Sequence, residues 1–288
     1  MPELDVAELK KVGTIQQRDK EYFVLRLRLA GGNTNSADLR TVAEIARKYG
    51  RGDIHLSTRQ GIEIPYVPAD KALEARQALE DAGLQMGACG PRIRVVVACQ
   101  GREICKWGII DTKSIARRLD AEYFGQDTPH KFKFGVTGCP HNCAKASEND
   151  VGIMGGLYPE WQPDNCTRCG LCVSVCPAQA IIQDGARFTL NEEKCLYCSI
   201  CTALCPQNSW RRKAEGYLLT IGGTMGKQQR LGDKLTGLLT DLETVYKLVQ
   251  KIVEYYRQNG RKRERFGQTI DRLGLARVRG ELLDGFSD

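Results

Sequence analysis

The sequence predicts an α+β fold that is interrupted by a cysteine-rich insertion. Residues 20–29 alternate between apolar and polar side chains, which is the pattern of a half-buried strand. The segments 36–50 and 70–83 carry apolar residues at helical spacing, and each ends at a glycine. Between residues 166 and 206 a run of four cysteines and a proline occurs twice, about 29 residues apart. This stretch is therefore a repeat unit of its own.

The N-terminal part is predicted to be a small α+β unit. Its expected elements are a strand within Lys20–Leu29, a helix from Ser36 to Gly50, strands at Asp53–Ser57 and Ile62–Tyr66, and a helix from Asp70 to Gly83. Ser36 and Asp70 are the expected helix caps. The apolar faces of the two helices are expected to include Leu39, Val42, Ala43, Ala46, Tyr49, Leu73, Ala75 and Leu79.

The second part continues on both sides of the insertion. Its expected elements are a strand over Arg92–Cys99, a helix over Lys113–Phe124, a strand over Lys131–Val136, a strand over Tyr217–Ile221 and a long helix that ends at Gly260. A capping box, Thr240–Glu243, is expected to start the long helix. The apolar stripe of that helix, from Leu242 to Tyr256, indicates core packing rather than a cofactor site.

Composition and charge exclude several classes of function. The chain has no apolar run of about 18 residues, so no membrane span is expected. The net charge of +7 is too modest for a nucleic-acid-binding protein, and the densest basic run, Arg261–Arg265, is expected to be a solvated turn. The first residues lack the pattern of a signal peptide, and clustered cysteines in such a chain indicate metal ligands. A cytoplasmic location, in an organism that lives with little oxygen, is expected.

The repeat between residues 166 and 206 is the strongest motif. Each run has the spacing C-x2-C-x2-C-x3-C-P, which is typical of bacterial two-cluster ferredoxins, where the fourth cysteine of each run binds the other cluster. One [4Fe–4S] cluster is therefore assigned to Cys166, Cys169, Cys172 and Cys205, and the other to Cys195, Cys198, Cys201 and Cys176. Zinc and disulfides fit poorly, because neither needs three close thiolates and a distant fourth.

Four further cysteines form the pairs Cys99 with Cys105 and Cys139 with Cys143. In a chain that is not secreted, two close pairs of thiolates indicate a metal or iron–sulfur site. A tetrahedral zinc ion has no need of the wide C-x5-C arm. The alternative is a set of four buried free cysteines. The thirteenth cysteine, Cys89, is predicted to be structural.

These pairs and the segments around them resemble a known family, the sulfite and nitrite reductases that couple a [4Fe–4S] cluster to sirohaem. C-x5-C followed by C-x3-C is the signature of that family. The segments that carry the rest of the resemblance are Ser57–Gly61, Arg94–Cys99, His130–Phe134, Val151–Gly155 and Gly222–Gly226. The match covers most of the chain in unbroken order. Within the family the sequence is most similar to the catalytic polypeptide of the anaerobic (Asr-type) sulfite reductases, which carries the same ferredoxin insertion.

The resemblance implies different roles for the cysteines and the basic residues. Cys99, Cys105, Cys139 and Cys143 would bind the third [4Fe–4S] cluster, with Cys143 bridging it to the sirohaem iron. Arg59, Arg94, Lys131 and Lys133 would bind the substrate anion and help to supply protons. Arginine binds oxyanions bidentately, whereas lysine is a point charge that can transfer a proton. The alternative for Arg59 and Arg94 is that they hold sirohaem carboxylates. His141 is expected to be a hydrogen-bonding surface residue rather than an axial ligand.

The expected architecture is one sulfite/nitrite reductase half-module with an inserted two-cluster ferredoxin domain. Its predicted ranges are 1–85 for the ferredoxin-like half domain, 86–160 with 209–288 for the sirohaem and [4Fe–4S] domain, and 161–208 for the insertion. Larger family members contain two half-modules, so a homo-oligomer or a partner chain is expected to complete the pocket.

The expected activity is the reduction of sulfite to sulfide. A nitrite reductase, and an electron-transfer protein without sirohaem, are the alternatives. The chain lacks a G-x-G-x-x-G fingerprint, so a separate donor subunit or a ferredoxin is expected to bring the electrons.

Overall fold

In the computed structural model, which describes residues 5–286, the N-terminal part is an antiparallel sheet packed against three helices. The outer ends of the predicted ranges 1–85 and 209–288 lie outside the described residues. The strands are β1 (Thr14–Gln16), β2 (Tyr22–Arg26), β3 (His55–Leu56) and β4 (Ile62–Pro68), in the order β1-β2-β4-β3. The helices are α1 (Val6–Lys11), α2 (Ser36–Tyr49) and α3 (Ala72–Asp81). The predicted α+β unit is confirmed.

Three details of these helices differ from the prediction. The cap predicted at Asp70 was wrong, because Lys71 is at the N-cap position of α3 and no side chain caps this helix. The side chain of Asn35, not Ser36, caps α2 by accepting the N–H groups of Ala37 and Asp38. Leu39 and Leu73 are 45% and 49% exposed, so their assignment to the buried faces was wrong. The buried face of α2 starts only at Val42, and Leu73 lies beside the stripe of buried residues on α3 rather than on it.

The second part is built on a five-stranded mixed sheet. Its strands are β5 (Val97–Ala98), β6 (Phe134–Thr137), β7 (Val151–Trp161) and, after the separate hairpin β8 (Ile181–Asp184) and β9 (Arg187–Leu190), β10 (Trp210–Ile221) and β11 (Asp233–Lys234). β5, β6 and β7 are parallel, whereas β7, β10 and β11 are antiparallel. The strand predicted over Arg92–Cys99 is paired mainly at β5, because its first residues make only isolated bridges.

Helices cover this sheet and close its core. They are α4 (Thr112–Tyr123), α7 (Leu242–Asn259), α8 (Phe266–Leu273) and α9 (Leu275–Leu283), and the short helices α5 (Leu171–Ser174) and α6 (Ile200–Leu204) belong to the insertion. The predicted stripe of α7 is confirmed as core. Asp241, rather than Thr240, caps α7 by accepting the N–H groups of Glu243 and Thr244. None of the helices within residues 5–286 has the length and apolar character to cross a membrane.

The insertion leaves the sheet between the end of β7 and the start of β10. A hydrogen bond of 2.6 Å from the Gln162 N–H to the Ser209 carbonyl closes its neck. Trp161 and Trp210 face each other at the last register position of the two strands. The insertion therefore sits on the end of a rigid two-stranded ladder that runs back into the second part.

Candidate functional site

Cys99, Cys105, Cys139 and Cys143, here called the paired-cysteine site, lie in two loops that follow neighbouring parallel strands. Cys99 comes directly after β5, and Cys139 comes two residues after β6. The Gly138 N–H donates to the Cys99 sulfur at 3.0 Å, and the Ile109 N–H donates to the Gly138 carbonyl at 2.8 Å. These bonds hold the C-x5-C loop and the C-x3-C loop against each other.

A glycine from β7 makes this close approach possible. A Cβ atom on Gly155 would lie 2.2 Å from the Gly138 carbonyl oxygen, a distance that real side chains do not reach. The strand can therefore lie directly against the loop that carries Cys139. The segment Val151–Gly155 is part of this strand, with glycine where the backbone is crowded.

The four thiols of this site differ in exposure. Cys139 is buried and Cys143 is exposed. Burial raises the pKa of the Cys139 thiol, and the neighbouring thiols of Cys105, Cys99 and Cys143 raise it further. Asn142 has a left-handed backbone (φ 55°) and its side chain accepts the Ala146 N–H at 2.7 Å, which fixes the turn that presents Cys143. An exposed thiol is suited to bind a group that lies outside the loop.

His141 lies at the surface of the same loop, as predicted. Its Nδ1 atom is 3.3 Å from the Cys139 sulfur, and its ring is 5.6 Å from the half-exposed ring of Trp107. The side chain therefore contacts one of the paired cysteines rather than standing free.

The eight cysteines of the insertion surround two separate pockets. Cys166, Cys169, Cys172 and Cys205, here called the first cysteine set, line one pocket. Cys176, Cys195, Cys198 and Cys201, the second cysteine set, line the other. These are the two groups of three plus one that the repeat predicts. Within the described residues no three His, Cys, Asp or Glu side chains have the spacing for a single metal ion, and the cysteines surround open pockets instead.

Backbone N–H groups point at the sulfurs of both sets. Ala180 donates to Cys176 at 3.2 Å, Tyr197 to Cys195 at 3.3 Å and Ser209 to Cys205 at 3.1 Å. The indole N–H of Trp210, which lines the first pocket, is buried and has no partner among the described residues. These backbone N–H groups face the cysteine sulfurs, and the indole N–H at the first pocket is still unused. Both features fit an iron–sulfur cluster, whose sulfurs accept hydrogen bonds.

Arg59 and Arg94 lie within electrostatic reach of each other, but protein groups already hold both. Arg59 donates to the Val95 carbonyl at 2.7 Å and to the Asn149 side chain at 3.2 Å. Arg94 donates to the carbonyls of Ala88 and Gly90, and only its Nε is left buried without a partner among the described residues. Burial, and then repulsion from Arg94, lower the pKa of Arg59 to about 10. These bonds use part of each guanidinium's five N–H donors and fix its orientation, so the protein holds both arginines in place before an anion binds.

Lys131 and Lys133 differ from the arginines. Within residues 5–286 neither ammonium group makes a hydrogen bond or an ion pair with the protein, although both side chains are half-buried. Burial lowers the pKa of Lys133 to about 8, and repulsion from Arg59 and Arg265 adds to the effect. Burial also lowers the pKa of Lys131. Of the four predicted basic residues, these two lysines are the ones whose charged groups make no bond with the described protein, so they are available to an anion.

An ion pair that the sequence did not reveal supports this basic cluster. Asp150 is fully buried, and the Arg265 guanidinium donates to it at 2.7 and 3.3 Å. The same carboxylate accepts the Lys133 backbone N–H at 2.9 Å. Arg261 to Arg263 are exposed as predicted, but the assignment of Arg265 to a solvated turn was wrong, because it turns inward to Asp150. The only signal was an acidic residue directly before a buried strand.

A basic cavity of about 1050 Å³ opens beside the cluster. Its lining cations are Lys10, Arg26, Arg94, Lys131, Lys262 and Arg263, and no acidic residue of the described range lines it. A cavity with this charge and volume fits a polycarboxylate such as sirohaem. Cys89 also lines it and accepts a hydrogen bond from Arg26 at 2.9 Å.

Within one chain, Lys131 and Lys133 do not lie next to the paired-cysteine site. Lys133 precedes β6 and Cys139 follows it, so the six residue steps from one to the other span about 20 Å if extended. None of the four paired cysteines lines the basic cavity. The structure therefore assembles the basic residues in one place and the paired-cysteine site in another, at opposite ends of the same parallel strands.

Comparison with known proteins matches both parts of the chain to family models. Residues 89–287 match the nitrite and sulphite reductase 4Fe-4S domain, and residues 15–82 match the nitrite/sulfite reductase ferredoxin-like half domain. These matches confirm the resemblance seen in the sequence.

Two curated relatives are similar over nearly the whole chain. The coenzyme F420-dependent sulfite reductase of Methanocaldococcus jannaschii is 31% identical over 94% of this chain and 43% of that protein. This chain therefore spans less than half of that relative. One of the polypeptides of the anaerobic sulfite reductase of Salmonella typhimurium is 30% identical over 91% of this chain and 83% of the relative.

The fold is also that of a solved structure. The crystal structure of dissimilatory sulfite reductase I superimposes with a TM-score of 0.73 and covers 93% of this chain and 70% of that chain. The sequences are only 18% identical, so the likeness concerns the fold alone.

Proposed function

Because the chain belongs to the nitrite and sulphite reductase family, we propose that it is a sirohaem-dependent sulfite reductase that reduces sulfite to sulfide. One observation carries the proposal: two half-buried lysine ammonium groups without protein partners among the described residues lie in a cluster of cations, on the sheet that also carries four paired cysteines. A pure electron carrier has no use for such cations. An anionic substrate does, because a partly dry site with fixed positive charge stabilises an oxyanion as it takes on electrons.

Lys131 and Lys133 are assigned to the anion, and Arg59 is assigned to the positive field behind them. With a pKa of about 8, Lys133 is largely protonated at neutral pH and is a strong enough acid to give its proton to a departing oxygen. The buried Nε of Arg94 makes no hydrogen bond among the described residues, and Arg94 lines the basic cavity, so it is suited to a carboxylate of the cofactor. Asp150 holds Lys133 in place through the backbone bond.

The cysteines are assigned to three [4Fe–4S] clusters, and Cys143 is assigned to the bridge to the sirohaem iron. Its exposure favours this role over the buried Cys139. When bound, sirohaem and its coupled cluster supply the redox chemistry, and the protein supplies charge, protons and orientation. The insertion is proposed to relay single electrons from a separate donor, either a partner chain or a ferredoxin.

A second copy of the chain is proposed to complete the active site. The basic cluster and the paired-cysteine site lie at opposite ends of β5 and β6 in one chain, which leaves each half of the site open to a partner. A homodimer would join the cations of one copy to the cysteines of the other.

Nitrite is the second candidate substrate, because the matched family model covers both reductases and both anions suit the same cations. Steady-state turnover of each anion with reduced methyl viologen separates them. The proposal expects kcat/KM to be at least about tenfold higher for sulfite, a preference of about 1.4 kcal/mol. A preference for nitrite would overturn the choice of substrate and leave the site assignments in place.

A further inference from the structure

The two cysteine sets of the insertion occupy different positions along β7, and their order indicates the direction of electron transfer. We infer that electrons enter at the first cysteine set and pass through the second cysteine set to the paired-cysteine site. The inference rests on the proposed function, since it assumes that the insertion feeds that site. Each step moves one electron from a reduced ferredoxin-type donor along the chain of clusters, and no bond to a cysteine is made or broken.

The second cysteine set is attached to the part of β7 that backs the paired-cysteine site. Gly155 lies against Gly138, the residue before Cys139. Two residues further along, Leu157 forms a parallel bridge with Cys198, and its N–H donates to the Tyr197 carbonyl at 2.9 Å. Two residues of strand correspond to about 7 Å, so the loop of the second set and the loop of Cys139 are close neighbours on one strand.

The first cysteine set lies at the far end of the same ladder. Its pocket is lined by Trp210, which pairs with Trp161 at the end of β7. Trp161 is four residues beyond Leu157, which adds about 13 Å along the strand. A first cluster at this end is therefore further from the paired-cysteine site than the second cluster is.

The solvent exposure of the two cysteine sets agrees with this order of electron transfer. Cys195 of the second set is 9% exposed, and Cys201 is half-buried. Cys169 of the first set is exposed, whereas all four cysteines of the second set are buried or half-buried. A donor protein can therefore approach a cysteine of the first set directly.

A lysine places positive charge beside the second set. The Lys234 ammonium lies 4.9 Å from the centre of the Tyr197 ring. It is also close enough to Cys195 for the two side chains to interact electrostatically. Positive charge near a cluster stabilises its reduced form and raises its reduction potential. The second set is thus biased to accept an electron from the first.

The test is electron paramagnetic resonance of the holoprotein, purified without oxygen and checked first for its sirohaem bands. Protein is poised at stepwise potentials, and microwave-power saturation of each ferredoxin-type signal reports its distance from the paramagnetic sirohaem centre. The Lys234→Gln variant labels the second set, because loss of the charge shifts the midpoint of that cluster to lower potential. Lys213→Gln, which removes a surface lysine paired with Glu160, is the matched control and is expected to shift neither midpoint.

The inference predicts that the signal shifted by Lys234→Gln is the one that relaxes faster. A shift of the slowly relaxing signal would overturn it. If neither midpoint moves, Cys198→Ser and Cys169→Ser decide: the fast signal must be lost in the first variant and the slow signal in the second, and the reverse pattern would overturn the order. Absence of sirohaem bands, with the cofactor available during expression, would instead overturn the proposed function and the inference with it.

Discussion

The guanidinium of Arg265 and the carboxylate of Asp150 form an ion pair 2.7 Å long that is almost closed to solvent. The pair ties the start of α8 to the residue before β7, and the carboxylate also fixes the backbone of Lys133. A charge this deeply buried is tolerated only when it is paired and hydrogen-bonded. The basic cluster therefore stands on a structural element that joins three segments distant in sequence.

Replacing Asp150 by Asn is expected to destabilise the fold strongly, because it leaves the Arg265 charge buried without a counterion. The expected loss is roughly 3–5 kcal/mol of unfolding free energy. The measurement is the denaturant midpoint of the anaerobic protein. Arg118→Gln, which breaks an exposed ion pair with Glu243, is the control and should barely move the midpoint. Equal shifts in the two variants would show that the buried pair has no special role.

Sulfite reduction is expected to lose kcat/KM as the pH rises through about 8, because Lys133 then loses its proton. Burial lowers this pKa most, repulsion from Arg59, Arg265 and Lys131 lowers it further, and Asp150 opposes the shift. The ammonium form predominates below the limb. Lys133→Arg keeps the charge with a much higher pKa and should remove the limb. Sulfite titrates equally with both proteins, so the difference between their pH profiles reports Lys133. Identical profiles would exclude this lysine as the titrating group.

Gly155→Ala is expected to cost the protein the cluster of the paired-cysteine site while the two ferredoxin-type clusters remain. The added Cβ would meet the Gly138 carbonyl at 2.2 Å and push the Cys139 loop away from the strand. Iron and sulfide content per chain is the measurement, with loss of about a third expected if three equal clusters are present. Gly226→Ala is the control, since nothing lies within 4 Å of its Cβ position among the described residues. Full iron content in Gly155→Ala would contradict the packing argument.

Cys143→Ser is expected to abolish the sirohaem absorption bands, because the exposed thiolate is the proposed bridge to the iron. Cys169→Ser is the control: that thiol belongs to the first cysteine set, outside the paired-cysteine site and the basic cavity, and the variant should keep the bands. Visible spectra of the two anaerobically purified proteins make the comparison. Bands retained in Cys143→Ser would assign the bridge to another residue.

Local pattern predicted much of the fold. Three features could be predicted from the sequence: the alternation around Phe23 and Leu25, the apolar stripe of α7 and the glycine that ends α7. Each depends on residues that are close neighbours in the sequence, within one or two helical turns. The grouping of the insertion cysteines also follows from spacing alone. By contrast, the observed helix caps, Asn35 and Asp241, are each one residue away from the predicted ones, since adjacent polar residues compete for the same N–H groups.

The remaining features depend on contacts between distant segments. Asp150 and Arg265 are 115 positions apart, and no spacing rule links them. The engagement of Arg59 by Val95 and Asn149 is equally invisible in the sequence. The β7 contacts that order the two cysteine sets arise from sheet register, which a single sequence does not specify for a strand buried on both faces.

The most direct test of the central claim is the visible spectrum of the protein purified without oxygen, recorded before and after the addition of sulfite. The account predicts sirohaem bands above the broad iron–sulfur absorption, and a shift of those bands when sulfite binds. Iron–sulfur absorption alone, in protein made with the cofactor available, would contradict the reductase assignment and identify the chain as an electron carrier.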